Sequence, residues 1–203
     1  MLFLFLPMLV GCAALTTQTT LTTQVARTVV FEPLAALNVP MAGSFELLGR
    51  VSVRNEHQRF SGNVHWQHTR FEDMVLLLSP LGQAVAEIVR NHDGVSLTTA
   101  KQETFYAGNV EDLTAELLGW RLPLNGLQYW VQGLHSPLSQ ASVDYDSENR
   151  VIAIRQDGWE IMFTQYFKDD AKLSDKPVAH PRIFELRIED LNIRMVVDKW
   201  IEA

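Results

Sequence analysis

From Phe45 onward the chain alternates. Phe45, Leu47, Gly49, Val51 and Val53 fall on one side, and Glu46, Arg50, Ser52 and Arg54 on the other, with Leu48 the one exception. A period of two marks a half-buried strand. Phe60, Gly62, Val64 and Trp66 repeat the pattern against Ser61, Asn63, His65 and Gln67. Met74 to Leu78 and Ala84 to Val89 read as a third and fourth strand. Asn91-His92-Asp93-Gly94 is a hairpin turn, because Asp-Gly supplies the positive φ that tight hairpins need. Val95 to Thr98 and Thr104 to Tyr106 continue the meander.

The period then changes. Asn109 can cap a helix, and Asp112 follows near the positive end of its dipole. Val110, Leu113, Leu117 and Leu118 share one face, and Gly119 closes the helix. Asn125 is expected to cap a second helix carrying Leu127, Trp130, Val131 and Leu134, with Gly133 near its end. Alternation returns at Ala141 to Tyr145. Hairpins are expected to turn at Asp146 to Asn149 and at Gln156-Asp157-Gly158, and Ile183 to Glu189 and Asn192 to Trp200 close the chain. The expected fold is mostly β with helices: about eleven short antiparallel strands in a curved sheet or an incomplete barrel, whose open mouth amphipathic helices would cover, enclosing an apolar cavity if they do not fill it.

The first residues follow different rules. Met1 to Val10 is almost wholly apolar, too short to span a bilayer but the length of a signal-peptide core. Leu9-Val10-Gly11-Cys12 comes next and looks like a lipobox, in which lipid is attached to the Cys12 sulfur before cleavage. Residues 1–11 are therefore expected to be a signal peptide and Cys12 the N-acyl, S-diacylglycerol anchor. No Lys or Arg precedes Cys12, which points to a start upstream of Met1. Thr16 to Gln24 is polar and low in complexity, as a tether is. Residues 25–43 are ambiguous, and a short helix is expected near 33–38. Residues 12–43 thus form a lipidated, tethered N-terminus, and 44–203 one soluble domain.

Composition narrows the function. The 203 residues are 47% hydrophobic and 20% charged, which is a globular balance. A net charge of -7 argues against nucleic acid, and against electrostatic attachment to anionic lipid heads. Membrane contact is expected to be apolar or covalent. One cysteine allows no internal disulfide and no zinc cluster. There is no Gly-rich phosphate loop and no G-x-S-x-G elbow. His65 and His68 fall on opposite faces of a strand, a poor metal pair. His57, His92, His135 and His180 lie near turns without organised partners. No catalysis, metal or cofactor is expected.

Two features invite a binding role. Trp66, Trp130, Trp159 and Trp200 sit in apolar-patterned segments. Each reads singly as core packing, while together they leave a lined cavity open as an alternative. Ser79-Pro80-Leu81-Gly82 suits a type I turn, which puts Leu81 at the tip.

With these residues in view, the chain resembles the LolB family of outer-membrane lipoprotein receptors. The resemblance rests on Leu-Leu-Leu-Ser-Pro-Leu-Gly at 76–82, Arg121-Leu122-Pro123-Leu124-Asn125 leading to Trp130 and Gly133-Leu134, Asp157-Gly158-Trp159, and Val197-Asp198-Lys199-Trp200-Ile201. It implies an unclosed β-barrel, or half-barrel, lidded by α-helices around an apolar cavity, in an outer-membrane lipoprotein that is lipid-anchored on the periplasmic face of a Gram-negative cell. Such a protein accepts acylated client lipoproteins from a LolA-like periplasmic carrier and incorporates them into the outer membrane. It also implies a membrane-delivery turn at Pro80, Leu81 and Gly82, while placement on alternating strands and on the helix expected to lid the mouth makes Trp66, Trp130 and Trp159 the acyl-cavity candidates. A monomer is expected. The rival reading is a structural or envelope-assembly lipoprotein whose β-domain binds protein and has no acyl cavity.

Overall fold

A computed structural model describes residues 24–35, 42–167 and 180–202. The expected signal peptide, Cys12 and Thr16 to Thr23 lie outside them, as do residues 36–38 of the helix expected near 33–38.

Alternation along the chain becomes inside and outside in space. The strands are β1 (Arg27–Phe31), β2 (Phe45–Arg54), β3 (Arg59–His68), β4 (Asp73–Leu78), β5 (Ala84–Asn91), β6 (Gly94–Thr99) and β7 (Thr104–Ala107). Then come α1 (Val110–Leu118) and α2 (Leu124–Trp130), followed by β8 (Ala141–Tyr145), β9 (Val151–Gln156), β10 (Trp159–Tyr166), β11 (Pro181–Ile188) and β12 (Leu191–Glu202). They form one twelve-stranded sheet in the order β1-β8-β9-β10-β11-β12-β2-β3-β4-β5-β6-β7. Every pairing is antiparallel. The edge strands β1 and β7 do not pair with each other, so the barrel stays open.

The twelfth strand is β1, where the apolar pattern was ambiguous. It is held by the β8 ladder, by Thr28 Oγ1 donating to Asp144 at 2.6 Å, and by Phe31 stacked on His135 at 4.1 Å. Residues 32–35, just beyond it, are not helical. A five-residue edge strand with two solvent-facing valine neighbours carries too little periodicity to be read from the chain alone.

Both helices form, with one correction. Asn109 caps α1 as expected: its side chain accepts from the Asp112 backbone N–H at 3.2 Å, and Gly119 ends the helix at φ 77°. Asn125 does not cap α2. The helix starts one residue earlier, at Leu124 after Pro123, and Asn125 lies inside it with its amide turned to another task. Proline suits this start because its fixed φ matches a helix entry and it lacks a donor that would go unsatisfied. The remaining turns follow their residues. Asp157 and Gly158 both take positive φ, 53° and 78°, and Gly94 reaches 131°.

The core is the concave face of the sheet together with the inner faces of α1 and α2. Leu47, Trp66, Ile88, Leu97, Ile161 and Leu186 are among the side chains fully withdrawn from solvent. Gly62 allows a close approach here. A Cβ on it would stand 2.0 Å from the Leu78 carbonyl oxygen and 2.8 Å from the Phe60 ring. Backbone cannot yield without opening the β3–β4 ladder. Gly62→Ala should therefore cost about 1–3 kcal/mol in urea unfolding, the usual scale for overpacking. Its outward neighbour in the variant Ser61→Ala should stay within about 0.5 kcal/mol of wild type.

Candidate functional site: the lidded interior

The cavity under the helices is lined by apolar side chains alone. A cavity of about 20 Å³ lies between Trp66, Val75 and Met195 of the sheet and Trp120, Leu122 and Leu127 of the helical segment. That is room for about one water-sized sphere, since a single water needs ~10–15 Å³ by this measure. A hydrocarbon chain cannot enter unless the helices move outward. What fixes the helices is therefore part of the site.

Two polar anchors hold α2. The first is on the β3–β5 side. Asp73 is buried, and its carboxylate accepts from Trp66 Nε1 and His68 Nδ1, each at 2.8 Å, and from Arg90 Nε at 2.9 Å, with a second contact from Arg90 Nη2. Arg90 then reaches the helix, where it donates to the side-chain oxygens of Asn125 and Gln128. Burial pushes the Asp73 carboxyl up, but the His68 hydrogen bond, the charge of Arg90 and the Trp66 bond outweigh it and hold the group below the usual aspartate range.

The second anchor is Gln156 at the end of β9. Its oxygen accepts from Trp130 Nε1 at 2.9 Å and from the Ser136 backbone at 2.8 Å. Its amide nitrogen donates to the Ser136 carbonyl at 2.7 Å and to the Ser139 carbonyl at 3.0 Å. A buried amide with this many partners is fully satisfied and pins the chain that follows α2. The helix is thus clamped to the sheet at its start from β5 and at its end from β9.

The three tryptophans occupy different places. Trp66 lines the inner cavity, and its indole is tied to Asp73. Trp130 and Trp159 pack with ring centroids 6.3 Å apart and line a separate, larger groove of about 750 Å³ at the mouth. That groove also carries Arg121 and the acids Glu111, Asp157, Glu189 and Asp190. Trp200 lies elsewhere, stacked on His180 at 4.6 Å and edge-on to Phe45.

The turn at 79–82 has the geometry its residues suggest. The Gly82 N–H donates to the Ser79 carbonyl at 2.9 Å, and Gly82 adopts φ 83°. Leu81 is 89% exposed, so it does not fold back onto Leu78 or Val85. His65 faces outward against Glu46 at 2.7 Å while His68 faces inward, as their spacing predicts. Three histidines expected to lack partners have them: His92 meets Asp93 at 3.0 Å, His135 stacks on Phe31, and His180 on Trp200. Burial also holds the His135 pKa below its usual value. Among the described residues no group of His, Cys, Asp or Glu is arranged to hold a metal, and no helix is long and apolar enough to cross a membrane.

Sequence reasoning missed Asp73, Arg90 and Gln156. A signal existed for two positions. Counting inward residues back from Trp66 and Val75 puts His68 and Asp73 on the core side of one hairpin, where a polar residue needs a partner.

The first anchor makes a testable prediction. Asp73→Asn removes the charge that Arg90 answers, and breaking a buried pair costs about 3–5 kcal/mol. The folded-state pKa of Asp73 is depressed, so its contribution is complete above the ordinary carboxyl range and is lost as pH falls toward the folded value. Unfolding measured against pH should show the variant far less stable at neutral pH, with the gap closing below about pH 4.

The model of the family described as outer membrane lipoprotein LolB matches residues 43–200. The outer-membrane lipoprotein LolB of Nitrosomonas europaea is 41% identical over 192 residues, covering 95% of this chain and 87% of that protein. That of Thiobacillus denitrificans is 42% identical over 176 residues, covering 87% and 90%. Among solved structures, a LolA superfamily protein from Nitrosomonas europaea aligns with a TM-score of 0.48 at 10% identity, covering 80% of this chain and 87% of that one. An open barrel lidded by two helices and a family match over most of its length lead to one conclusion: the chain belongs to the LolB family of outer membrane lipoproteins.

Proposed function

We propose that the chain accepts the acyl chains of lipoproteins handed over by a LolA-like periplasmic carrier and releases those lipoproteins into the outer membrane. The observation that carries this reading is the wholly apolar lining of the cavity under a helical lid whose α2 is held by polar anchors at its two ends. Each methylene moved out of water is worth ~0.8 kcal/mol, so several acyl chains bared at once would cost on the order of tens of kcal/mol. Transfer must then run from one apolar cavity to another. Direction comes from differences in affinity between sites.

In this reading Trp66 contacts the chain inside, and Trp130 and Trp159 meet it at the mouth. Cys12 carries the lipid that tethers the protein at the periplasmic face of the outer membrane, so mature protein begins at a lipidated Cys12 by mass. Pro80, Leu81 and Gly82 form the delivery turn. Burial of one leucine is worth ~1.5–3 kcal/mol, too little to anchor a protein and enough to bias a brief docking. The rival reading, a protein-binding domain without an acyl cavity, gains no support from a lid closed over apolar side chains alone.

A fluorescent fatty-acid probe should bind the protein, quench or shift tryptophan emission, and be displaced by an acylated client. No binding at saturating probe would favour the rival. Leu81→Glu separates the two halves of the cycle. Receipt from the carrier and the melting temperature should stay near normal, while incorporation into liposomes should fall steeply. Loss of both steps together with a lower melting temperature would make Leu81 structural.

A further inference from the structure

The net charge of -7 is not spread evenly. The outer faces of four adjacent strands, β11, β12, β2 and β3, carry Arg187, Arg194, Arg50, Arg54 and Arg59. The ladder fixes how they stand. Arg187 pairs with Asn192, Asn192 with Arg54, and Arg54 with Arg59, so three arginines share one row. Arg54 and Arg59 are directly opposed, an arrangement that is repulsive by itself. Neither has an ion-pair partner among the described residues. One row further on, Arg194 lies opposite Ser52, and in the next row Arg50 lies opposite Asn63.

The acids here are few and already engaged. Glu185 meets Arg187 at 2.7 Å and Arg194 at 3.3 Å, and Asp198 meets Arg50 at 2.9 Å. Glu56, Glu189 and Asp190 stand on the turns at the upper edge. A guanidinium has five N–H donors. Arg50 spends two on Asp198 and Arg194 one on Glu185, so both keep donors free. Between them runs a groove of about 320 Å³, lined also by Ser52, Ser61, Asn63, Val196 and Pro80, its surface mostly apolar with the guanidinium groups at its sides. Pro80 belongs to the Leu81 turn, so free guanidinium donors, an apolar groove and an exposed apolar tip meet at one place.

We propose that this groove takes the phosphate headgroup of an anionic phospholipid while Leu81 enters the acyl boundary beside it. Planar donor forks suit phosphate oxygens. The overall charge forbids attachment of the whole surface to anionic lipid, and a local patch escapes that limit because charges beyond about 10 Å are screened at ordinary salt. The acid-rimmed mouth is repelled by the same lipid, so the two regions together set which side of the barrel meets the bilayer. This inference rests on the reading of Leu81 as a membrane-entering tip.

The test reads the turn directly. Gln83→Cys in the full chain carries an environment-sensitive dye beside Leu81, with the site of labelling checked by mass. It is presented to vesicles of phosphatidylcholine alone or mixed with phosphatidylglycerol. Emission should shift to shorter wavelength, and more so with phosphatidylglycerol. Arg50→Gln with Arg194→Gln should lose most of that extra shift, as should salt near 1 M, where the screening length is about 3 Å. Arg54→Gln with Arg59→Gln removes a repulsive pair, so it should hold or gain stability and still diminish the extra shift. Arg70→Gln, in the turn between β3 and β4, removes one charge and should change nothing. An extra shift that survives both double variants, or equal shifts on the two vesicles, overturns the headgroup site and leaves the Leu81 reading standing. No shift on either vesicle, with the chain folded, overturns both.

Discussion

An unclosed antiparallel sheet has an apolar concave face that strands alone cannot cover. In this chain β1 and β7 end the sheet without meeting. The inner row from Leu47 through Trp66 to Ile88 and Leu97 would be wet unless another element lay across it. Leu113 of α1 and Leu127 of α2 are buried against that row and do the covering. Everything functional depends on this. The same apolar surface that drives the helices down is the surface an acyl chain would cover in their place. Hydrophobic attraction has no direction and does not distinguish a leucine from a methylene chain.

Polar groups make the lid specific. Arg90 reaches from buried Asp73 to Asn125 and Gln128, and Gln156 reaches Trp130. They define where α2 sits, through contacts near its two ends. Asp73 also ties Trp66 and His68 into the same network, so the inner wall and the lid share one carboxylate.

Much of the architecture was legible because period-two alternation survives from Phe45 to Trp200 and helix signals interrupt it once. Asn109 and Gly119 marked α1 by their own chemistry, and Leu81 was placed at its tip by Ser79, Pro80 and Gly82. Where local signals were weak, tertiary contacts decided. β1 exists because β8 and His135 receive it. Asn125 looked like a cap, yet Pro123 starts the helix and Arg90, thirty-five positions away in sequence, claims the amide. The separation of Trp66 from Trp130 and Trp159 into an inner cavity and a mouth groove was hidden for the same reason: periodicity says that a residue faces inward, not which layer it meets. Net charge also concealed an arrangement, because the sum of -7 averages an acid-rimmed mouth with an arginine-bearing outer wall.

The central claim is that the lid gives way to an acyl chain while the sheet does not. Amide hydrogen exchange, followed with and without an acylated lipoprotein, tests it most directly. The account predicts faster exchange across α2 when the client is bound, with the β2–β3 ladder unchanged or better protected. Unchanged α2 exchange with a bound acyl chain would contradict it, because a cavity of about 20 Å³ cannot take the chain with the helix in place.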